Sequence, residues 1–384
     1  MLKLPVYLDN NATTPVDPEV LKIMLPYFSE QFGNAASRTH SFGWAAEEAV
    51  KQAREQVAEL IHADPSEIVF TSGSTEAINL AMKGAFEAYA SKGNHIITCL
   101  TEHKAVLDTC KHLEKKGAEV TYLPVNEEGL INLKELESSI RPTTILISIM
   151  MANNETGTIQ PVREIGTIAK QHQILFFTDA TQAVGKIPVS VTDDQIDILC
   201  ISAHKIYGPK GAGALYVRRR NPRVRLVSQI DGGGHEKGMR SGTLNVPGIA
   251  GLGKSCEICR QQMNREASRI SALRDKLENA LTQFSPVSVN GCINHRLPNI
   301  TNLAFAGLPG NKLLTAINRT IAVSSGSACT SANPEPSHVL KAMNLDDELA
   351  KSSIRFGLGR FTTEEEIDYT IETVTKLIQN PGAL

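Results

Sequence analysis

Short apolar runs alternate with helical segments from about Pro18 to Ala250, and this alternation constrains the fold more than any other feature. Runs that are nearly continuous in Ile, Val, Leu and Phe indicate strands buried on both faces, as in a parallel sheet covered by helices. An amphipathic helix is predicted over 44–62, and strands alternating with helices predict an α/β domain. The predicted strands are 68–70, 95–100, 119–123, 144–151, 174–178 and 196–201.

The pattern changes after Pro247. The later predicted elements are a long charged helix at 255–284, strands at 299–305 and 354–358, and a closing helix at 364–377. A chain of 384 residues is long enough for roughly two or three domains. We expect a large domain over 16–254 and a smaller α+β domain that combines 1–15 with 255–384.

The composition disfavours several classes of protein. The net charge is −2, with 39 Lys+Arg against 41 Asp+Glu, which argues against a globally basic nucleic-acid binder. The seven cysteines are dispersed, as in a protein with reduced cytosolic thiols rather than a disulfide framework. No apolar signal-peptide core is present at the N-terminus, and no apolar run approaches the ~20 residues that span a bilayer. We therefore expect a soluble, cytoplasmic protein with no membrane partner.

Three short features have simpler explanations than ligand binding. The segment 248–255 fits the nucleotide-loop pattern G-x-x-x-x-G-K-[ST], but no strand precedes it, and a helix beginning after Pro247 explains it better. Cys256 and Cys259 form a C-x-x-C pair without a second pair to complete the roughly four ligands of a zinc site. The basic run 218–225 is typical of a solvated loop, with an acidic protein or RNA as the alternative partner.

Three predicted strands end in polar groups that suit one cofactor. Ser74 and Thr75 follow the first of these strands and open a helix, where they form either an anion cradle or an ordinary N-cap. Asp179 ends the second, where a carboxylate requires a cationic partner. Lys205 follows the third beside tight turns, where a partly desolvated amine can form a Schiff base. Because ligands gather at the carboxyl ends of strands in such a sheet, these groups predict a pyridoxal phosphate site.

Three further residues each have a functional and an ordinary interpretation. His103 follows another strand end and could stack on the pyridine ring or simply lie on the surface. Cys329 lies in a small, polar, aperiodic segment and is either a reactive thiol or an incidental surface thiol. Arg355 alternates with apolar neighbours and either binds a substrate carboxylate or forms a plain ion pair.

With these motifs in place, the sequence resembles the NifS/IscS-type cysteine desulfurases of the pyridoxal-phosphate-dependent class V aminotransferases. The resemblance extends over 7–368, almost the whole chain. It implies fold type I, with a mostly parallel sheet covered by helices in a large domain and a smaller α+β domain. The segments that carry it are Thr71-Ser72-Gly73-Ser74-Thr75-Glu76, Thr101-Glu102-His103-Lys104-Ala105-Val106, Asp179-Ala180-Thr181-Gln182, 202–211 and Ser324-Ser325-Gly326-Ser327-Ala328-Cys329.

The resemblance also implies a role for each site residue. His103 would stack on the pyridine ring, Lys205 would carry the cofactor and Cys329 would accept sulfur. Asn154 and Arg355 would hold the substrate carboxylate. The cofactor-binding residues would be Ser74, Thr75, Asn154, Asp179 (on the pyridine nitrogen), Gln182 (near the phenolic oxygen), Ser202, His204, Lys205 and, from a neighbouring subunit, Thr243.

The implied reaction converts L-cysteine to L-alanine and leaves a persulfide on Cys329, within a loop at about 323–336. The implied partners are a second copy of the chain, an iron–sulfur scaffold protein and tRNA-thiolation carriers, with Cys329 as a transient ligand of a 2Fe–2S cluster. Two departures are notable: Asn10-Asn11 matches NifS-like members, and the sequence ends at Leu384, before an extension that helps many IscS-type members to dock the scaffold. The alternatives are a class V lyase or aminotransferase that does not use Cys329, and a non-catalytic scaffold-binding protein.

Overall fold

Seven strands form a mostly parallel central sheet in the order β2-β8-β7-β6-β5-β3-β4. The computed structural model describes residues 2–285, 287–325 and 336–380. The strands are β1 Val6–Tyr7, β2 Ile68–Thr71, β3 His95–Cys99, β4 Glu119–Leu123, β5 Thr144–Ser148, β6 Leu175–Asp179, β7 Ile198–Ser202, β8 Gly213–Val217, β9 Val287–Val289, β10 Ile300–Phe305, β11 Ile321–Ala322 and β12 Ser353–Gly357. Only β8 runs antiparallel to its neighbours in this sheet.

The six strands predicted for the sheet are all present. Every residue of β2, β3, β5, β6 and β7 is buried, as the near-continuous apolar runs predicted, whereas β4 lies at the edge and is partly exposed. The strand predicted over 144–151 ends earlier, at Ser148. The sequence pattern did not identify β8, which inserts between β2 and β7. The α/β architecture is therefore confirmed.

Helices cover both faces of the sheet. They are α1 Pro18–Met24, α2 Pro26–Ser29, α3 Ser41–Leu60, α4 Ser74–Ala88, α5 Lys104–Glu114, α6 Leu133–Ser138, α7 Val162–Gln171, α8 Val246–Leu281, α9 Gly310–Ile317, α10 His338–Ala342, α11 Asp347–Lys351 and α12 Glu364–Gln379. None of the helices among the described residues is long and apolar enough to cross a membrane.

The helix predicted over 255–284 begins nine residues earlier, at Val246. Asn245 caps it by accepting a hydrogen bond from Gly248 N at 3.2 Å, and Pro247 occupies the first turn, where its missing N–H costs nothing. The nucleotide-loop pattern at 248–255 therefore lies inside a helix, and nothing in it cradles a phosphate. The C-x-x-C pair is buried on the same helix.

Neighbouring residues of each central strand pack into opposite cores. Phe176 belongs to the core under α3, α7 and α8, while Phe177 belongs to the core under α4 and α5. This alternation follows from the pleat, because successive side chains of a strand point to opposite faces. The polar residues Asp179 and Ser202 lie at the carboxyl ends of β6 and β7, along one edge of the sheet.

A separate small sheet lies beyond the middle of α8. Its strands β12, β10 and β9 pair antiparallel, while β1 and β11 form a separate two-stranded parallel sheet. The N-terminal segment joins this sheet, since Gly357 N donates to Leu8 O at 2.7 Å. A third core combines Leu8 with Leu277 and Phe356. The domain boundaries at 16–254 and at 1–15 with 255–384 stay a prediction, which this separate core supports.

Candidate active site

A cleft of about 910 Å³ opens at the carboxyl edge of the central sheet. It lies where the strands β2, β6 and β7 end and where the small sheet approaches them. Ten of the twelve predicted site residues line it: Ser74, Thr75, His103, Asn154, Asp179, Gln182, Ser202, His204, Lys205 and Arg355. Thr243 is exposed outside this cleft, and Cys329, with most of the predicted loop 323–336, lies outside the described residues.

Lys205 lies in a short 3₁₀ turn directly after β7. Its Nζ donates to Asn11 O at 2.6 Å and to Ala12 O at 2.7 Å, so the N-terminal segment holds the amine in place. Burial and the neighbouring Arg355 cation lower the pKa of Lys205 to about 8, against the opposing effects of nearby carboxylates. A substantial fraction of this amine is therefore neutral and nucleophilic near physiological pH.

Asp179 ends β6 as a carboxylate that is only 7% exposed. One oxygen accepts hydrogen bonds from Thr181 N at 2.9 Å and from Cys200 Sγ at 3.3 Å. Among the described residues, no Lys, Arg or His forms an ion pair with it. A buried carboxylate of this kind is costly without a cation, so the site fits a ligand that brings a protonated nitrogen.

The N-terminus of α4 faces the same cleft. Its N-cap residue is Gly73, with φ +152°, and no side chain caps the first turn. Ser74 Oγ lies 2.5 Å from Thr181 Oγ1, and thus does not serve as a cap. The structure therefore favours the anion cradle over the ordinary cap, because the free N–H groups of the first turn and the helix dipole both attract a phosphate.

His204 and Thr13 form a further wall of the cleft. His204 Nδ1 and Thr13 Oγ1 lie 3.1 Å apart, and His204 O accepts a hydrogen bond from Thr14 N. Burial and the nearby Lys205, Lys210 and Lys186 lower the pKa of His204 to about 4. The imidazole is therefore neutral at pH 7 and contributes dipoles rather than charge to the phosphate side.

His103 lies at the start of α5 and caps it, because its Nδ1 accepts from Ala105 N at 3.1 Å. This bond fixes the ring at the cleft wall with Nε2 as the remaining polar atom. Desolvation lowers the pKa of His103, and the charge of Asp179 opposes that shift. His103 thus lies at the wall of the cleft with its ring held by the cap, although the residue remains exposed to solvent.

Arg355 lies on β12 and is only 6% exposed. Its Nη2 donates to Asp9 Oδ1 at 2.7 Å and its Nη1 to Asn154 O at 2.9 Å, while Nε has no partner among the described residues. The sequence left open whether Arg355 forms an ion pair or binds a carboxylate. The structure shows an ion pair at the wall of the cleft, with Nε–H buried and without a partner among the described residues.

Asn11, which lies in the N-terminal segment, was not predicted as a site residue. It lies 194 positions from Lys205 in the chain, yet its carbonyl accepts from the Lys205 amine and its side chain contacts Gln182. The polar pair Asn10-Asn11 next to an apolar strand was the available signal. Asn11 therefore links the two residues that the sequence assigned to different parts of the cofactor.

The described residues fit pyridoxal phosphate at three points. The cofactor carries a phosphate, a pyridine nitrogen and an aldehyde, and it needs an anion cradle, a carboxylate and a neutral amine. The N-terminus of α4, Asp179 and Lys205 supply these in one cleft. No group of three or more possible metal ligands occurs among the described residues.

Comparison with known proteins agrees with this arrangement. The model of the family "Aminotransferase class-V" matches residues 6–370. The chain belongs to this family. Class V enzymes use pyridoxal phosphate bound to a lysine, so the predicted cofactor is confirmed.

Similar class V proteins are known from sequence and from structure. The cysteine desulfurase IscS of Anaeromyxobacter dehalogenans is 56% identical over 381 residues, which cover 98% of this chain and 94% of that protein. A solved structure named "NIFS-like protein" has 39% identity and a TM-score of 0.91, covering 98% of this chain and all of the other. A second, "SspA in complex with cysteine", has 39% identity and a TM-score of 0.82, covering 93% and 100%.

Proposed function

We propose that this class V enzyme is a cysteine desulfurase that converts L-cysteine to L-alanine and leaves a persulfide on Cys329. The observation that carries the proposal is one cleft that combines the desolvated Lys205 with an uncompensated Asp179 and a fixed Arg355. The similarity to a named cysteine desulfurase and to a structure solved with cysteine supports the choice of substrate.

Each described residue has a role in this reaction. Arg355 and Asn154 bind the carboxylate of L-cysteine, which places its α-carbon near Lys205. The bound cofactor supplies an electron sink for the α-carbon when its proton is removed. Lys205, once its amine is free of the cofactor, would be the base that takes this proton, because its lowered pKa allows it to accept and return protons near neutral pH. His103 covers the ring from the wall of the cleft.

The sulfur transfer requires a thiolate. In the proposed step the Cys329 thiolate attacks the sulfur of L-cysteine, a sulfur–sulfur bond forms, and the carbon–sulfur bond breaks. The electron pair of that bond stays with the carbon skeleton, which takes up a proton and leaves as L-alanine. Substrate and enzyme thiol together thus yield alanine and an enzyme persulfide, without an external oxidant.

We also propose that the enzyme acts as a homodimer. Thr243 lies outside its own cleft, and its neighbour Leu244 lines a groove together with Trp44. Several large apolar side chains between residues 25 and 44 are more than half exposed, which is unusual unless another surface covers them. They are Leu25, Phe28, Phe32 and Trp44. A second copy on this face would bring Thr243 to the neighbouring cleft as a phosphate ligand.

The remaining proposals concern the fate of the sulfur. We propose delivery in the cytoplasm to an iron–sulfur scaffold protein and to tRNA-thiolation carriers, with Cys329 as a transient ligand of a 2Fe–2S cluster on the scaffold. The resemblance to NifS/IscS-type enzymes supports these steps. Reconstitution of a cluster on a purified scaffold with L-cysteine as the sulfur source would test them.

One experiment tests the central proposal. The purified holoenzyme is incubated with L-cysteine, and alanine and Cys329-bound persulfide are measured together. We expect both products in the wild type and loss of the persulfide and of catalytic turnover in C329S. Alanine formed at the wild-type rate in C329S would show a class V enzyme that does not use Cys329. A protein without cofactor absorbance would indicate a non-catalytic partner protein.

A further inference from the structure

A second lysine, Lys186, contacts the site from behind Gln182. It lies four residues after Gln182, and its Nζ donates to Gln182 Oε1 at 3.0 Å. No Asp or Glu among the described residues forms a salt bridge with it. Burial, together with the Lys205 and Arg355 cations, lowers the pKa of Lys186 to about 7. An amine placed among cations without a counterion is unfavourable for stability, and the contact with Gln182 is the one hydrogen bond of its Nζ within the described part of the chain.

That hydrogen bond determines which end of the Gln182 amide faces the cleft. Gln182 Oε1 accepts from Lys186 Nζ and from Asn11 Nδ2, both at 3.0 Å. Gln182 Nε2 donates one of its two hydrogens to Asn11 O at 2.9 Å. The oxygen is therefore fully used on the protein side, and the second N–H of Nε2 remains for a ligand in the cleft.

The opposite orientation of the amide is disfavoured by three unfavourable contacts. A flip would place Nε2 against the Lys186 ammonium and against the Asn11 amide, both of which are donors, and would place Oε1 against the carbonyl of Asn11. Unpaired buried donors of this kind are costly. Lys186 contributes an amine donor that is charged below its pKa of about 7, while Asn11 supplies neutral groups.

We propose that Lys186 is a positioning residue for the cofactor, which locks the Gln182 amide with its N–H toward the cleft so that it donates to the phenolic oxygen. The inference rests on the proposed placement of that oxygen beside Gln182. Lys186 itself does not line the cleft. It therefore acts through Gln182, and its removal should change the electronic state of the bound cofactor more than the affinity of the protein for it.

The test is a double-mutant cycle read by spectroscopy. Purified wild type, K186M, Q182L and the double variant are loaded with pyridoxal phosphate, and cofactor absorbance is titrated with pH. A donor to the phenolic oxygen stabilises its anionic form, so K186M and Q182L should each raise the titration midpoint by roughly one pH unit. In the double variant the shift should equal that of Q182L alone, because the two substitutions remove the same hydrogen bond to the phenolic oxygen.

Controls separate this effect from general destabilisation and from charge alone. K254M removes a partly buried lysine that pairs with Glu257 outside the cleft, and its midpoint should equal that of the wild type. K186R keeps a cationic donor, so the midpoint of its cofactor titration should stay near that of the wild type. Thermal unfolding of each variant shows whether it is folded. Additive shifts in the cycle, or a K186M midpoint equal to wild type, would overturn the inference. A wild type without bound cofactor would instead overturn the proposed function.

Discussion

Arg355 donates through Nη2 to Asp9 Oδ1 at 2.7 Å, and this bond joins the last strand of the small sheet to the N-terminal segment at the cleft wall. The other carboxylate oxygen of Asp9 accepts from Ser324 Oγ at 2.8 Å. Asp9 therefore fixes the direction in which the Arg355 guanidinium faces the cleft. A guanidinium held in one orientation loses less conformational freedom when it binds a carboxylate than a mobile guanidinium does.

The first prediction concerns this pair. D9A should raise KM for L-cysteine roughly tenfold and change kcat much less, because it releases the guanidinium, whereas the charge of Asp9 has only a minor effect on Lys205. Steady-state alanine formation measures both constants. E278A removes a carboxylate that pairs with Arg296 at 2.7 Å outside the cleft, and it should lower stability with KM unchanged. A fall in KM for D9A would show that Asp9 competes with the substrate, contrary to this account.

The second prediction concerns the acidity of Lys205. Its pKa is lowered to about 8, so the neutral amine should accumulate as the pH rises through 8 and should level off well below pH 10. An unperturbed lysine would still be mostly protonated between pH 8 and pH 10. Competitive acetylation of the apoprotein, with the Lys205 peptide quantified by mass spectrometry at each pH, gives this curve directly.

Two variants test the direction in which neighbouring charges shift the pKa of Lys205. Arg355 lowers the pKa of the amine and Asp9 raises it, so R355M should move the acetylation midpoint up and D9A should move it down. Exposed lysines of the same samples serve as internal references. A midpoint at the ordinary lysine value in the wild type would contradict the desolvated environment.

The third prediction uses a close contact between two glycines. A Cβ on Gly213 would lie 2.6 Å from Gly73 Cα and 2.7 Å from Ile201 O, so G213A must push the N-terminus of α4 away from β8. Overpacking of this size costs about 1–3 kcal/mol, and here it displaces the phosphate cradle. The Kd for pyridoxal phosphate should therefore rise about tenfold or more, as measured by fluorescence titration of the apoprotein.

A matched glycine separates cofactor binding from stability. Gly117 has φ +94° but open space around its Cβ position, and it lies outside the cleft. G117A should lower the unfolding temperature through backbone strain and leave the Kd for pyridoxal phosphate unchanged. An equal loss of cofactor affinity in both variants would show that the third prediction reflects global destabilisation.

The sequence predicted the parallel strands because their burial on both faces leaves a continuous apolar signature. It did not identify β8, whose place between β2 and β7 depends on pairing with strands far away in the chain. It also placed the start of α8 too late. The first turns of that helix are rich in small residues that pack closely on α3, where a Cβ on Gly253 would lie 2.5 Å from Ala53 Cα, and such residues carry little amphipathic signal.

The residues of the candidate site likewise fall into those that the sequence predicted and those that it did not. The residues at strand ends were predictable, since topology places all carboxyl ends of parallel strands at one edge. The contacts of Asn11 and Lys186 with Gln182 were not, because they depend on where the N-terminal segment folds back and on the orientation of a single amide. Local pattern carries no information about either.

The last prediction concerns which thiol reacts. All six cysteines among the described residues are buried, and burial raises the pKa of five of them: Cys99, Cys110 (to about 12), Cys200, Cys256 and Cys259 (to about 11). Because alkylation requires an accessible thiolate, brief iodoacetamide treatment of the native holoenzyme at neutral pH should label Cys329 and abolish persulfide formation. Peptide mass spectrometry should find one labelled site in the wild type and none in C329S, against seven and six after unfolding. Rapid native labelling of any buried cysteine would contradict the assignment of Cys329 as the reactive thiol.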